Sequence, residues 1–455
     1  MNTPYSASIL AFAAVTCLTP LLCAAQSPGP ARTATELVQL AKANSPELQK
    51  GIEDTYPAKA IELGRVWSGH LHDYFFTVRA ASRPVLLIDD APGPAIQPIP
   101  STNLWFAAAQ IEQLGRLHSF RYQIDGKDFG GTVNMPAFTE LSYPMAGVKQ
   151  GTLSPQLTLT SQIYDGMKSD YWIYATAGYD PAVPAALMVF QDGGGFIERD
   201  DTSHSLDTID NLVALKKIPP MVCVFISPGK IDGPPGNPTY EFVKAYGEKW
   251  KRTLDDSMRS TLYDTVNDRY ARMLRDELLP AVAAKYNLRK DGYSHAISGL
   301  SSGGICSFNT AWQMPELFSR VLSGIGSFTS IQWQEAPGVT AGGQDYPEKV
   351  LRDPHRNIRV WLQDGSDDME WNQYGSWPMA NIRMANALKL KEYDFHFSFG
   401  KGGHGREHYE AELPRELTWL WRDYDPAKTG QTFEIEPAEK AKPVFRVTVF
   451  NRDAD

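Results

Sequence analysis

His295-Ala296-Ile297-Ser298-Gly299-Leu300-Ser301-Ser302-Gly303-Gly304 is the stretch on which the reading of this chain turns. Residues 295–298 read as a strand and 305–313 as a helix, so Ser301 falls on the turn between them. A serine at a sharp strand-to-helix turn is lifted clear of the sheet. Glycine two residues to either side, here Gly299 and Gly303, lets the backbone bend that tightly. The following helix offers N–H groups and partial positive charge at its first turn. A glycine-rich turn without chemistry has the same composition, but the strand before and the helix after favour a serine nucleophile.

A serine nucleophile needs a base and an orienting carboxylate, which in open α/β sheets follow it in the order Ser, acid, His. After a strand candidate at 358–362 comes Gln363-Asp364-Gly365-Ser366-Asp367-Asp368, and after another at 394–399 comes Gly400-Lys401-Gly402-Gly403-His404-Gly405. Both are loops at the carboxyl ends of strands, where such sheets bind ligands. His404 is taken as the base and Asp368 as the acid, in preference to Asp367 or Asp364. Asp364 and Asp367 otherwise read as a solvated acidic turn. His396 falls mid-strand and His295 below the elbow, both as structural residues. His408, four residues past His404, suggests a metal pair on a helix, but the glycines around His404 and the want of a third ligand argue against zinc. The aspartates lack the periodic oxygen ligands of a calcium loop. No metal or other cofactor is expected.

Phe190-Gln191-Asp192-Gly193-Gly194-Gly195-Phe196 follows an earlier strand candidate. Consecutive glycines let backbone N–H groups approach a developing oxyanion, so the N–H groups of Gly194 and Ser302 are the expected oxyanion hole. Asp192, Gly193, Tyr263 and Asp367 are expected to line the site. A phosphate cradle is disfavoured because no Lys-Ser or Lys-Thr follows the glycines.

Outward from these motifs the chain divides. Residues 156–425 alternate short apolar strands with helices, including a helix expected over 264–286 and another over 377–390. That pattern predicts a mostly parallel sheet covered on both faces. Residues 26–155 hold a helical lead over 33–50, broken at Ser-Pro, and then short strands between Pro and Gly turns, a small immunoglobulin-like β-sandwich. The tail, 426–455, carries one alternating run at 445–450. Residues 1–25 read as a cleaved secretory signal: an apolar run from Ile9 to Leu22, with Pro20 inside and small residues behind it. That run is too short and too broken for a membrane span. Lipidation at Cys23 is the lesser alternative, because Pro20-Leu21-Leu22 fits the small-residue approach badly.

Across 455 residues, 44 Lys+Arg against 53 Asp+Glu give a net charge of −9, which excludes the basic footprint of a nucleic-acid binder. A hydrophobic content of 42% excludes a disordered chain. Of 4 cysteines, Cys17 and Cys23 fall within the signal. Cys223 and Cys306 read as buried small hydrophobes, although export permits a disulfide.

Residues 155–425 resemble the enterochelin-esterase-like branch of the α/β-hydrolase superfamily, the esterase D type. The resemblance rests on the Asp192–Phe196 glycine loop, on Asp268-Arg269-Tyr270-Ala271-Arg272-Met273-Leu274 and on Glu277-Leu278-Leu279-Pro280. Gly299 to Gly304, Pro315-Glu316-Leu317-Phe318, Gly326-Ser327-Phe328, the acid loop, Gly402-Gly403-His404 and Trp419-Leu420-Trp421-Arg422 continue it. It implies the same nucleophile, acid and base: Ser301, Asp368 and His404. Relatives often carry an acidic residue in an Arg-Ser-x-Glu-Tyr-Asp run, where this chain reads Arg259-Ser260-Thr261-Leu262-Tyr263-Asp264. The expectation is an α/β-hydrolase domain behind the sandwich, acting as a periplasmic or secreted serine esterase. Its substrate would be a siderophore trilactone or an acylated (feruloyl or acetyl) polysaccharide. An acyltransferase on the same residues, or a carbohydrate-binding protein that keeps the scaffold, are the alternatives. Oligomeric state is not legible.

Overall fold

The computed structural model describes residues 31–199, 203–332, 342–370 and 373–447. The expected signal at 1–25 lies outside them. The chain forms two compact units, one reaching to Leu87 and taking in Ala91–Gln110 and Arg121–Gly131. The other holds Ile88–Asp90, Ile111–Phe120 and everything from Thr132.

The larger unit is built on a 9-stranded sheet. Its main strands are β1 (Leu157–Ser161), β2 (Met167–Ala175), β3 (Ala186–Gln191), β4 (Met221–Ile226), β5 (His295–Leu300), β6 (Arg320–Gly324), β7 (Arg359–Gly365) and β8 (Asp394–Gly400). They lie in the order β1-β2-β4-β3-β5-β6-β7-β8, with Thr152–Leu153 paired to β2. Pairing is antiparallel from β1 to β4 and parallel from there on. β3 and β4 are buried at every position, as continuous apolar strands covered on both faces must be. Alternate side chains feed two cores. Leu187, Val189, Ile297, Val321 and Val360 pack with Leu262, Phe308 and Met384 on one side. Met188, Phe190, Ala296, Leu322 and Trp361 pack with Ile209, Leu413 and Leu417 on the other.

The helix expected over 264–286 is redrawn. A helix at Leu254–Tyr263 ends with Asp264 at its C-cap. The Asn267 side chain then accepts the Arg269 N–H at 2.9 Å, an Asx turn that leads into a new helix at Arg269. That second helix passes through a π turn at Leu274–Leu278 before Leu279–Ala283. Pro280, which has no N–H to donate, lies just past the widened turn. β7 also runs on to Gly365, beyond the expected end at 362, and this carries Asp364 into the sheet. Of the expected strand at 445–450, residues 445–447 are described and are not a strand; the rest lies outside the described residues. The Phe445 ring packs edge-on against Phe397 at 5.0 Å.

Two further antiparallel sheets hold the strands of the smaller unit. One antiparallel sheet orders Val66–His70, Asp73–Arg79, Leu104–Gln110 and Gln97–Pro98. A second orders Ala91–Pro92, Val85–Ile88, Arg116–Ile124 and Lys127–Ala137, the last two turning at Asp125-Gly126 with φ of 51° and 76°. Positive φ at both residues is the geometry that makes Asp-Gly a hairpin turn. Tyr122 donates its hydroxyl to the Thr77 carbonyl at 3.1 Å, from one sheet to the other. The helical lead, Ala34–Lys42 with a Thr33/Glu36 capping box and then Leu48–Thr55, packs Leu37, Val38 and Ile52 against Phe75 and Phe106.

Candidate active site

Ser301 sits between β5 and the helix Ser302–Gln313 at φ 57°, ψ −120°, a conformation L-residues rarely hold. Its N–H donates to the Gly324 carbonyl at 2.9 Å. A Cβ on Gly299 would lie 2.4 Å from the Gly303 carbonyl oxygen, so β5 meets the helix closely enough to require glycine there. Ser302 opens that helix, where N–H groups have no carbonyl of the preceding turn to bond.

Ser301 Oγ lies 2.8 Å from His404 Nε2, and His404 Nδ1 lies 2.6 Å from Asp368 Oδ1. Asp368 is buried, and its Oδ1 also accepts the Met369 N–H at 2.5 Å. The acid and base loops are joined through their backbones. Ser366 N–H donates to the Gly400 carbonyl at 2.8 Å and Asp367 N–H to the Gly402 carbonyl at 3.0 Å. Asn134 Oδ1 accepts the Gly403 N–H at 2.8 Å, and the Trp377 ring meets His404 edge-on at 5.6 Å. Asp367 is exposed, and its side chain is not among the partners of His404.

Asp364 is the clearest departure from the sequence reading, because it is fully buried instead of solvated. Its oxygens accept the Gly365 N–H and the Asn381 amide, both at 2.7 Å. Burial first, and the Asp368 carboxylate second, push its pKa well above the carboxylate range. Ser327 and Trp377 were given no role from sequence. Ser327 Oγ lies 3.2 Å from Ser301 Oγ, and Trp377 Nε1 donates to Ser327 Oγ at 3.2 Å.

The glycine loop forms one 3₁₀ turn, Gly193–Gly195, entered through Asp192 at φ 55°. Gly195 and Phe196 N–H groups are used inside the turn, donating to Asp192 and Gly193 carbonyls at 3.2 and 3.0 Å. Gly194 lies beside Trp172, whose ring a Cβ there would meet at 3.4 Å. Gly193 lies flat on β4: a Cβ would stand 2.3 Å from the Phe225 carbonyl carbon and 2.4 Å from the Ile226 nitrogen. Main-chain atoms of a central strand cannot move aside. Gly193→Ala is therefore expected to cost about 3 kcal/mol, read as a lowered urea midpoint, and to reduce ester turnover with it. Tyr263 is buried behind the loop, where its hydroxyl accepts the Asp192 N–H at 3.4 Å, and so supports the loop instead of facing a groove.

Asp264, next along the chain, is also buried. Burial lifts its pKa to about 6, against the pull of Arg259. The unfolded chain ionises this group near pH 4 while the folded chain holds its proton to about pH 6. Stability is therefore fully present below pH 4 and falls as pH rises through 6, by about 3 kcal/mol in all. Asp264→Asn removes the titration. The variant should gain about that much on the native protein between pH 4 and pH 7 in urea unfolding, and equal gains at both pH values would contradict this assignment.

The other histidines stay apart. His295 lies between the Leu317 and Arg289 carbonyls, each at 2.9 Å, at the opposite end of β5. His396 stacks on Trp361 at 4.1 Å, and burial lowers its pKa to about 4. His408 is buried against the Gln363 amide at 2.7 Å. Among the described residues no group of three or more His, Cys, Asp or Glu is placed to hold a metal. Cys223 and Cys306 are free and buried. Among the described residues no helix is long and apolar enough to cross a membrane.

A parallel sheet crossed in this order, with a serine on the sharp turn after β5 and a glycine loop after β3, defines an α/β-hydrolase. Residues 166–420 match the family described as Putative esterase, and the chain belongs to that family of carboxylic ester hydrolases. Among solved structures, the enterobactin esterase of Shigella flexneri, determined in the presence of 2,3-di-hydroxy-N-benzoyl-glycine, is similar at 18% identity and a TM-score of 0.50. The match covers 80% of this chain and 98% of that one. Ferric enterobactin esterase from Salmonella typhimurium is 16% identical, with 79% and 97% covered and a TM-score of 0.49. A ferulic acid esterase is 18% identical, with 61% and 100% covered and a TM-score of 0.42. At such identities the likeness is one of fold. No curated protein sequence matches the chain.

Proposed function

We propose that this protein is an exported serine esterase that works through an acyl-enzyme on Ser301. The observation that carries the proposal is the unbroken hydrogen-bonded series from Asp368 through His404 to Ser301, at 2.6 and 2.8 Å. Asp368 accepts a hydrogen bond from the Nδ1–H of His404 and so holds the tautomer whose Nε2 is free to take the Ser301 proton. Ser301 Oγ then attacks the ester carbonyl. The N–H groups of Gly194 and Ser302 donate to the oxyanion, His404 returns the proton to the leaving alcohol, and water, deprotonated by His404, releases the acid. The chemistry assigns no step to a metal or cofactor.

Two ester classes are proposed as substrate, a siderophore trilactone and a feruloyl or acetyl ester of a polysaccharide. The first is the class to which the Shigella flexneri enterobactin esterase, a neighbour in fold, owes its name. A p-nitrophenyl acetate burst, with mass spectrometry of the Ser301 peptide trapped at low pH, tests the mechanism. An acetyl group on Ser301 is expected, and turnover without one would remove the acyl-enzyme. Trilactone and feruloylated or acetylated oligosaccharides, compared by kcat/KM, then separate the two classes. Export predicts that protein secreted by a bacterial host has lost residues 1–25. An intact mass that still includes Met1 to Ala25 would refute it.

A further inference from the structure

The glycine loop follows β3 and the serine follows β5, so two separately supported segments must stay in register for the N–H groups of Gly194 and Ser302 to meet one oxygen. A single side chain reaches both. Arg259, on the helix Leu254–Tyr263, donates from Nε to Asp192 Oδ1 at 2.9 Å and from Nη2 to Asp192 Oδ2 at 2.6 Å. The same Nη2 donates to the Leu300 carbonyl at 3.3 Å. That carbonyl and the Ser301 N–H are the two polar ends of one peptide group, and the N–H end is held by Gly324 at 2.9 Å. The peptide leading into the strained serine is thus fixed at both ends.

The other end of the fork is built as deliberately. Asp192 stands at φ 55°, a left-handed conformation that aspartate also holds at other turns of this chain. Its planar pair of oxygens matches the guanidinium fork. One helical turn past Arg259, Tyr263 accepts the Asp192 N–H, and the guanidinium lies 5.4 Å from the centre of that ring. Tyr270 donates to Gln191 Oε1 at 2.5 Å, so the residue before Asp192 is held too. A Cβ on Gly303 would sit 3.1 Å from Asp192 Oδ2, which shows how closely loop and elbow already approach.

We propose that Arg259 is a positioning residue for ester hydrolysis: through Asp192 and the Leu300 carbonyl it locks the glycine loop to the nucleophile turn and so fixes the spacing of the two oxyanion donors. This rests on the serine-esterase reading. The Arg259 charge is balanced by Asp192, and the residue acts through the backbone that carries the donors. Donors aimed at developing charge are effective only when their geometry is set in advance, so loosening them lowers kcat and leaves substrate binding largely alone.

The test compares the native protein with Arg259→Met and Arg259→Lys on p-nitrophenyl acetate and on its thiono analogue, whose C=S accepts hydrogen bonds poorly. Arg259→Met should lower kcat on the oxygen ester about 100-fold with KM within about twofold, and should shrink the preference for oxygen over sulfur. Arg259→Lys keeps the charge but not the fork and should fall between the two. If Arg259→Met does not fold, the same comparison is read on Arg259→Lys. A folded variant with kcat within about threefold of native, or a kcat loss with the oxygen-to-sulfur preference unchanged, would reduce Arg259 to a structural ion pair and overturn the proposal. A native protein that neither turns over the ester nor labels Ser301 with an activated phosphonate overturns the esterase reading itself, and this one with it.

Discussion

Ser301→Ala is expected to abolish both the burst and the turnover of p-nitrophenyl acetate, a loss of about 10⁴-fold or more in kcat. Among the described residues, the Ser301 hydroxyl is the one bonded to His404 and so placed to form the covalent bond. It stands 2.8 Å from His404 Nε2, whereas Ser327, its other neighbour, contacts it at 3.2 Å and receives the Trp377 indole N–H. Ser327 is therefore engaged and lacks a base of its own. Alanine keeps the turn of the backbone and its bond to Gly324, so the variant should melt within a few degrees of the native protein. Stopped-flow absorbance at 400 nm measures the burst, and calorimetry checks the fold. A variant that retains the burst would move the nucleophile elsewhere.

The second large effect separates two adjacent carboxylates. Asp368→Asn should lower kcat/KM by about 10⁴-fold, while Asp367→Asn should leave it within about threefold. The amide at 368 would donate where the carboxylate accepts, forcing the His404 proton onto Nε2, where it blocks uptake of the serine proton. Asp367, exposed, contributes its backbone N–H to Gly402, a bond that asparagine keeps. A steady-state comparison of both variants decides the matter, and equal losses would mean that the acid loop is being disturbed as a whole.

What the sequence made legible follows from what is local. A glycine–serine–glycine turn, an Asp-Gly hairpin and continuous apolar strands each carry their physical reason within a few residues. The chain order of serine, acid and base narrows the remaining choices. Asp364 was misread because strand ends are set by pairing. Gln363 and Asp364 look like loop residues, yet they continue the register opposite Ser398 and Phe399, and pairing carries the carboxyl into the interior. The helix start moves from 264 to 269 because Asn267, polar and unremarkable in sequence, turns the chain just before it. Arg259 was seen only as part of a family run. Its acceptors lie 67 and 41 residues away, and no spacing rule connects an arginine on a helix to the ends of two strands. Tyr263 was expected in the groove for the same reason: periodicity places it on the helix but does not say which neighbour it meets.

The backbone bonds between the acid and base loops also bear on how such a protein would lose activity. Serine and glycine loop ride on β5 and β3, in the middle of the sheet, while acid and base follow β7 and β8, the last two strands at one margin. Because those two loops are tied to each other, loss of order in one is expected to carry the other with it, so that Asp368 and His404 leave or return together. Sheet margins open at lower free energy than sheet centres. Mild heating is then expected to silence the protein before it unfolds, with Ser301 and the glycine loop left standing in an otherwise folded molecule.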